Sequence, residues 1–379
     1  MKKYSWILGM AVMLILTGAG CAKQVGNNST GTTTSSQKEY ITIGGIIPLT
    51  GVAAEYGANE NKAINLAVEK INKAGGVLGK DLKVVLEDSK CDAKEGATAV
   101  TKLINVNKVD VLASFECSGP TFSGAPVANA NNKLFLAAVA TAPGLGEMGD
   151  NIFRIAPSDA IQGKDLASAI YNKGYSKTAI MYANNDYGLG IKKVFEANFK
   201  GTLVGSEAIN TDASEFRTNL IKIKGNNPDS VVLVLLSSKQ YTTVLKQMKE
   251  LGLTQQVFGT ETMKDDSLIK EAGSLMEGKF LTYYQTPSTS IRSAWAKEMK
   301  EKNGAEPGVF ADFAYDVVMA YAQAIQKAGS VDGTAIKTAL QGLKYNGVTG
   351  EIAFDKDGEV TGGSFSLFTV KNGKFEEVK

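Results

Sequence analysis

From Ile41 onward, short apolar runs alternate with stretches whose apolar residues recur at helical spacing. The runs predict strands at 41–47, 82–87, 109–114, 134–138, 152–155, 178–182, 203–208, 230–236 and 279–282, with helices between most of them. In the helical stretch 58–73, Ile64, Ala67, Val68 and Ile71 share a face, and Gly75-Gly76 ends it. The stretch 312–327 repeats this with Val317, Ala320, Tyr321 and Ala324, ending at Gly329. Such alternation predicts an α/β protein with parallel sheets covered on both faces. At the C-terminal end, 352–354, a DKDG turn at 355–358 and 365–370 read as a hairpin.

The first twenty residues follow a different pattern. Lys2 and Lys3 precede an apolar run from Trp6 to Leu16, then Thr17-Gly18-Ala19-Gly20-Cys21. A basic head, a short apolar run and small residues predict a secretory signal at 1–20, and the run is too short to span a membrane. Ending in Cys, it resembles a bacterial lipoprotein signal, which implies lipidation at Cys21; Gly18 departs from that pattern, where leucine is usual. Residues 22–38, rich in Ser, Thr, Gly, Asn and Gln, predict a flexible tether with a reach of ~20–25 Å. The expected location is therefore the periplasmic or extracellular face, with the membrane touched only through the anchor.

Composition narrows the function. The 379 residues contain no histidine, which removes Ser–His–Asp and Cys–His nucleophile pairs, the HExxH helix and most zinc sites. A net charge of +2 gives no footprint for nucleic acid. No motif points to an activated nucleophile, cofactor or metal, so an enzyme is disfavoured. With Cys21 lipidated, Cys91 and Cys117 remain as an even pair in an exported chain and suggest a disulfide, two buried thiols being the alternative.

Three motifs fail on context. Gly144–Gly149 matches GxGxxG, but a strand is predicted within three residues, leaving no room for a phosphate-binding helix. The stretch 273–279 spells GxxxxGK with Phe280 where Ser or Thr must hold magnesium. The DKDG sequence at 355–358 places its glycine two positions too early for a calcium loop.

The strings GIIPLTGVAAEYG (45–57), VEKINKAGGVLG (68–79), EDSKCD (87–92), ECS (116–118), ATAP (140–143) and DYG (186–188) together resemble leucine/isoleucine/valine-binding proteins, in the expected order. That family supplies the solute-binding components of ABC importers for branched-chain amino acids. The resemblance implies two doubly wound α/β lobes joined by three hinge crossovers, near 157–159, 285–287 and 345–350. Lobe one would comprise 39–157 plus 286–348, and lobe two 158–285 plus 349–379. It also implies a monomer that delivers a small aliphatic amino acid to permease subunits. Rival readings are a binding protein for an amide, urea or aromatic acid, and a sensing module working with a separate membrane protein.

A free amino acid brings a carboxylate and an ammonium, each costly to desolvate unless hydrogen-bonded. The resemblance assigns the carboxylate to the Ser118 hydroxyl and the Thr141 amide, and the ammonium to the Thr141 hydroxyl, the Ala140 carbonyl and the Glu261 carboxylate. Tyr56 and Tyr187 would cover the ligand from either lobe, and Phe310 would supply an apolar wall. The plainer alternatives are capping or loop chemistry for Ser118 and Thr141, a solvated loop acid for Glu261, surface packing for the tyrosines and core packing for Phe310. Two departures bear on the ligand's side chain: Glu116 precedes Cys117, and Leu236-Ser237-Ser238 stands where relatives have a tyrosine. Both put leucine in doubt more than the amino acid class.

Overall fold

The structure, a computed structural model, describes residues 40–378. The expected signal, Cys21 and the tether lie outside the described residues. No described helix is long and apolar enough to cross a membrane.

Two sheets organise the chain. The first contains β1 (Tyr40–Ile47), β2 (Asp81–Asp88), β3 (Val111–Ser114), β4 (Phe135–Ala137) and β5 (Ile152–Arg154), all parallel, in the order β2-β1-β3-β4-β5. The second contains β6 (Lys177–Ala183), β7 (Thr202–Ile209), β8 (Ser230–Val234), β9 (Gln256–Gly259) and β10 (Phe280–Tyr284), parallel in the order β7-β6-β8-β9-β10. A two-stranded ribbon, β11 (Tyr345–Asn346) with β12 (Glu351–Ile352), stands apart. The second sheet is extended beyond β10 by antiparallel β13 (Phe365–Lys371) and β14 (Lys374–Glu377).

Eleven described helices connect these strands: α1 (Ala54–Lys73), α2 (Ala93–Asn105), α3 (Ser118–Ala130), α4 (Asp159–Asn172), α5 (Asp186–Asn198), α6 (Arg217–Gly225), α7 (Ser238–Glu250), α8 (Asp266–Ala272), α9 (Ser290–Asn303), α10 (Ala311–Ala328) and α11 (Gly333–Gln341). Alternation along the strands sends successive side chains to opposite faces. In β3, Val111 and Ala113 pack with α1 and α10, and Leu112 packs with α2 and α3. In β8, Val231 and Leu233 pack with α6 and α7, and Val232 and Val234 with α4 and α5. Helix α10 is tied to the first sheet by Tyr321, whose hydroxyl donates to the Leu112 carbonyl and accepts from the Leu136 amide at 3.0 Å.

The chain passes between the sheets three times. The first two passages, at 155–158 and 285–289, fall near their expected places. The third lies at 361–364 rather than 345–350. Residues 353–360 stay beside β5: the Arg154 amide donates to the Gly358 carbonyl at 2.9 Å, and the Phe153 and Phe354 rings meet edge to face at 5.2 Å. The passages touch one another, with the Gln285 amide donating to the Ser364 carbonyl at 2.9 Å. The C-terminal hairpin also differs from expectation. Phe365–Lys371 pairs with Lys374–Glu377 through a turn at Asn372-Gly373, both at positive φ, and the DKDG turn closes only a single bridge, Phe354 to Val360.

The lobes begin alike. Tyr56-Gly57 opens α1 after β1, and Tyr187-Gly188 opens α5 after β6. Both glycines are forced by a strand-end carbonyl: a Cβ would stand 2.1 Å from Pro48 O at Gly57 and 2.0 Å from Ala183 O at Gly188.

Candidate ligand-binding site

In parallel α/β sheets, ligands collect beyond the carboxyl ends of strands, where loops and helix N-termini present unpaired groups. Here the carboxyl ends of both sheets border one narrow cleft, partly open to solvent, in which the lobes leave little free space. From the first lobe it is lined by Ala53, Cys91, Glu116, Cys117, Ser118, Val139 and Thr141; from the second by Asn185, Tyr187, Leu236, Glu261 and Thr262. A larger groove beside Glu55 and Asp212–Ser214 is more open and lacks a comparable set of buried acids and hydroxyls. The buried cleft is therefore the candidate site.

Ser118 begins α3, directly after Cys117. Its Oγ accepts from the Ala142 amide at 3.1 Å, leaving the hydroxyl proton to donate. The chain after β4 alternates: Val139 and Thr141 line the cleft, while Ala140 between them is fully buried against the core. Ala140 does not join the site, and its carbonyl is taken by the Arg154 guanidinium at 2.9 Å. The Val139 carbonyl and the Thr141 amide, by contrast, make no hydrogen bond among the described residues.

Glu261 follows β9 and is only 2% exposed. One carboxylate oxygen accepts from the Gln162 side-chain amide at 2.7 Å, and the same nitrogen reaches Thr282 at 3.0 Å. Burial pushes the Glu261 carboxyl up to about 7, against the opposing pull of Gln162 and the Tyr187 hydroxyl. Asp159 is fully buried at the start of α4, its carboxyl near the Thr141 hydroxyl and without an ion pair among the described residues. Its amide donates to the Thr141 carbonyl at 2.9 Å, placing it beside the cleft. Burial raises its carboxyl well above the usual range and the charge of Glu261 adds to this; the Thr141 hydroxyl and Arg154 oppose it. Asp159 and Gln162 went unread in the sequence, although both interrupt the apolar stripe that α4 continues with Leu166, Ala167 and Ile170.

The remaining expected residues take other places. Tyr187 lines the cleft, its hydroxyl 2.8 Å from Thr260 Oγ1. Tyr56 does not line it; its hydroxyl crosses between lobes to the Thr262 carbonyl at 3.1 Å. Phe310, at φ +66° before α10, packs edge-on against the Tyr56 ring at 5.3 Å, behind the cleft wall. Ser237 caps α7 by accepting from the Gln240 amide, and Leu236 occupies the wall instead. The lobes also meet where Glu55 accepts from the Ser238 amide at 2.8 Å.

Cys91 and Cys117 form a disulfide, Cα to Cα 5.3 Å. It ties the loop after β2 to the residue preceding Ser118, so it stabilises both the fold and the placement of the hydroxyl. With a sequence separation of 26 residues, chain entropy gives ~3–4 kcal/mol. Replacing both cysteines by serine is expected to lower the unfolding free energy in urea by about that amount. A loss below ~1 kcal/mol would show that the bond contributes little.

Two α/β lobes with a polar, buried cleft between them define a clamshell solute-binding protein. The chain matches the periplasmic binding protein family over residues 40–374, and it belongs to that family. It is 29% identical to the leucine-, isoleucine-, valine-, threonine- and alanine-binding protein of Pseudomonas aeruginosa, over 85% of this chain and 87% of that one. A branched-chain amino acid transporter substrate-binding protein from Streptococcus pneumoniae, solved with isoleucine, superposes with a TM-score of 0.80 at 27% identity, over 90% of this chain and all of that one. A Rhodopseudomonas palustris solute-binding protein solved with benzoate superposes at 0.82 with 20% identity, over 90% and 96%, and shares the fold. The family works in transport with ABC permeases and is not enzymatic.

Proposed function

We propose that this protein captures a small α-amino acid between its lobes and delivers it to the permease of an ABC importer. The observation that carries the reading is the opposition of two kinds of group across one cleft. On one side stand the Ser118 hydroxyl, the unpaired Thr141 amide and the first amides of α3, suited to a carboxylate. On the other stands Glu261, with Asp159 buried beside Thr141 at the edge of the cleft, acids without an ion pair and suited to an ammonium. Charge-assisted hydrogen bonds contribute ~1.5–3 kcal/mol each, so a handful supports micromolar affinity. The carbonyl offered to the ammonium is that of Val139, not Ala140. Closure brings Tyr187 over the ligand and Tyr56 across the gap.

The protein works as a monomer. Residues 1–20 direct export, Cys21 carries the lipid and 22–38 leave the lobes free to reach the permease. A non-zwitterionic solute such as an aromatic acid would satisfy the Ser118 end and leave Glu261 and Asp159 without a cationic partner.

Thermal-shift screening of the purified protein across the twenty amino acids, benzoate and short neutral amides tests this. At a hundredfold excess over Kd a bound amino acid adds ~2.7 kcal/mol, a rise in melting temperature of several degrees. Stabilisation by benzoate or an amide and by no amino acid would sink the reading.

A further inference from the structure

One pair of buried groups in the cleft has no role in holding a carboxylate or an ammonium. Glu116 follows β3, lines the cleft and is 8% exposed. Its Oε2 has no hydrogen-bond partner. Behind it, Glu60 of α1 is fully buried, with neither carboxylate oxygen partnered. The two carboxyls are close enough for each to act on the other's hold on its proton. Two ionised carboxylates that close would repel, and both only accept; a proton held between them removes the repulsion and leaves the outer oxygens in need of a donor. Burial is the main influence on each, followed for Glu60 by Glu116 and for Glu116 by Glu60 and Glu261; no lysine or arginine is among the groups acting on either.

Such an arrangement is expensive. An unpartnered buried polar group is destabilising, and a packed Leu or Met at either position would avoid that cost. No cluster of three metal-ligating side chains occurs among the described residues, so a metal is not the missing partner. What the pair faces is the cleft, and Glu116 is two residues from Ser118, at the anchoring end of the site.

We propose that Glu116, backed by Glu60, sets ligand specificity by accepting a hydrogen bond from a donor on the ligand's side chain, so that the protein selects a short polar amino acid over an aliphatic one of the same shape. This rests on the amino acid reading above and names the side chain that the site takes. The donor is a hydroxyl, an amide or an ammonium, reached within two or three bonds of Cα because Glu116 lies so close to the anchoring residues. An aliphatic side chain placed there would bury the Glu116 carboxyl without supplying a donor, which is how a polar site rejects an apolar isostere.

Threonine and valine, nearly identical in shape, are the deciding probes, with asparagine and 2,3-diaminopropionate as the amide and ammonium arms. Calorimetric titration of the full protein is expected to show at least one of the three donor ligands binding tenfold or more tighter than valine. Glu116→Leu is expected to reverse the order, raising valine affinity and lowering that of the preferred donor ligand. Glu116→Gln, which keeps an acceptor and folds if the leucine variant does not, is expected to retain the order with a smaller ratio. Valine binding as tightly as every donor ligand, or an unchanged ratio in both variants, would overturn the proposal and leave the amino acid reading standing. Binding of no amino acid at all would overturn both.

Discussion

Glu261→Gln is expected to weaken an α-amino acid by ~100-fold or more, and to leave the matching α-hydroxy acid nearly unaffected. Glu261 faces Ser118 and Thr141 across the cleft and is the counter-charge in the proposed site; a buried ammonium that loses its counter-charge forfeits ~3–5 kcal/mol. The same substitution has a second, opposite effect. In the free protein, burial lifts the Glu261 carboxyl from 4.5 to about 7. The folded state therefore holds its proton longer than the unfolded chain does. The contribution to stability is full below pH 4.5 and is lost as pH rises through about 7. At ~1.4 kcal/mol per pH unit this amounts to ~3 kcal/mol, so the ligand-free glutamine variant is expected to melt higher than the parent at pH 8.

Binding carries the reverse sign. The ammonium requires an ionised acid, so affinity in the parent protein is expected to fall as pH drops below about 7, where the proton competes with the ligand. Asp159 shares this titration through its proximity, so removing Glu261 moves the limb rather than flattening it. Calorimetric titration from pH 5.5 to 8.5 with both ligands, beside melting curves without ligand, checks each part. Equal losses for the amino and hydroxy acids, or an unchanged pH limb, would take Glu261 out of the ammonium site.

Much of the fold was legible because buried parallel strands leave uninterrupted apolar runs, as at 41–47 and 230–236, with glycines ending the intervening helices. The antiparallel end is less legible: the apolar segment 352–354 pairs by pattern with 365–370, whereas the hairpin closes through Asn372-Gly373 between 365–371 and 374–377. The strand–helix motifs around Ser118, Thr141, Tyr187 and Glu261 led to the cleft, since loops at strand ends must present polar groups there. What could not be read was parity. One residue separates Val139, facing the ligand space, from Ala140, facing Arg154, and nothing in ATAP fixes which way an irregular segment alternates. The helix-borne residues did leave a signal. Glu60 stands one turn before Ile64 on the apolar stripe of α1, and Asp159 and Gln162 occupy the same position on α4. An acid or amide in the first turn or two of an otherwise apolar stripe marks the end of the helix that looks into the cleft.

The alternation after β4 is held by Ser118, by the Asp159 amide and, on its buried side, by Arg154, which joins fold and cleft at one position. Arg154 is 1% exposed at the end of β5. Its Nε and Nη2 donate to Glu359 at 2.8 and 2.5 Å, and its Nη1 donates to the carbonyls of Ala140 and Ala142, both at 2.9 Å. One planar group thus fixes the segment carrying Thr141 and clamps residues 353–360 against the sheet edge, and only a guanidinium has the fork to do both. Arg154→Met leaves two buried carbonyls without donors and the half-buried Glu359 carboxylate with only the Gly146 amide on its other oxygen, and a destabilisation of ~3–5 kcal/mol is expected in urea unfolding. Arg154→Lys restores the charge but not the geometry, and should recover only part of this. Adding Glu359→Met to Arg154→Met should recover the share owed to the stranded acid, while ligand affinity stays weakened because the 139–142 segment has lost its buried tether and keeps only the Ser118 and Asp159 contacts. If the double variant bound ligand as tightly as the parent, Thr141 would owe its position to its neighbours in the chain and not to Arg154. A loss of under ~1 kcal/mol in the single variant would show that water replaces the guanidinium at little cost.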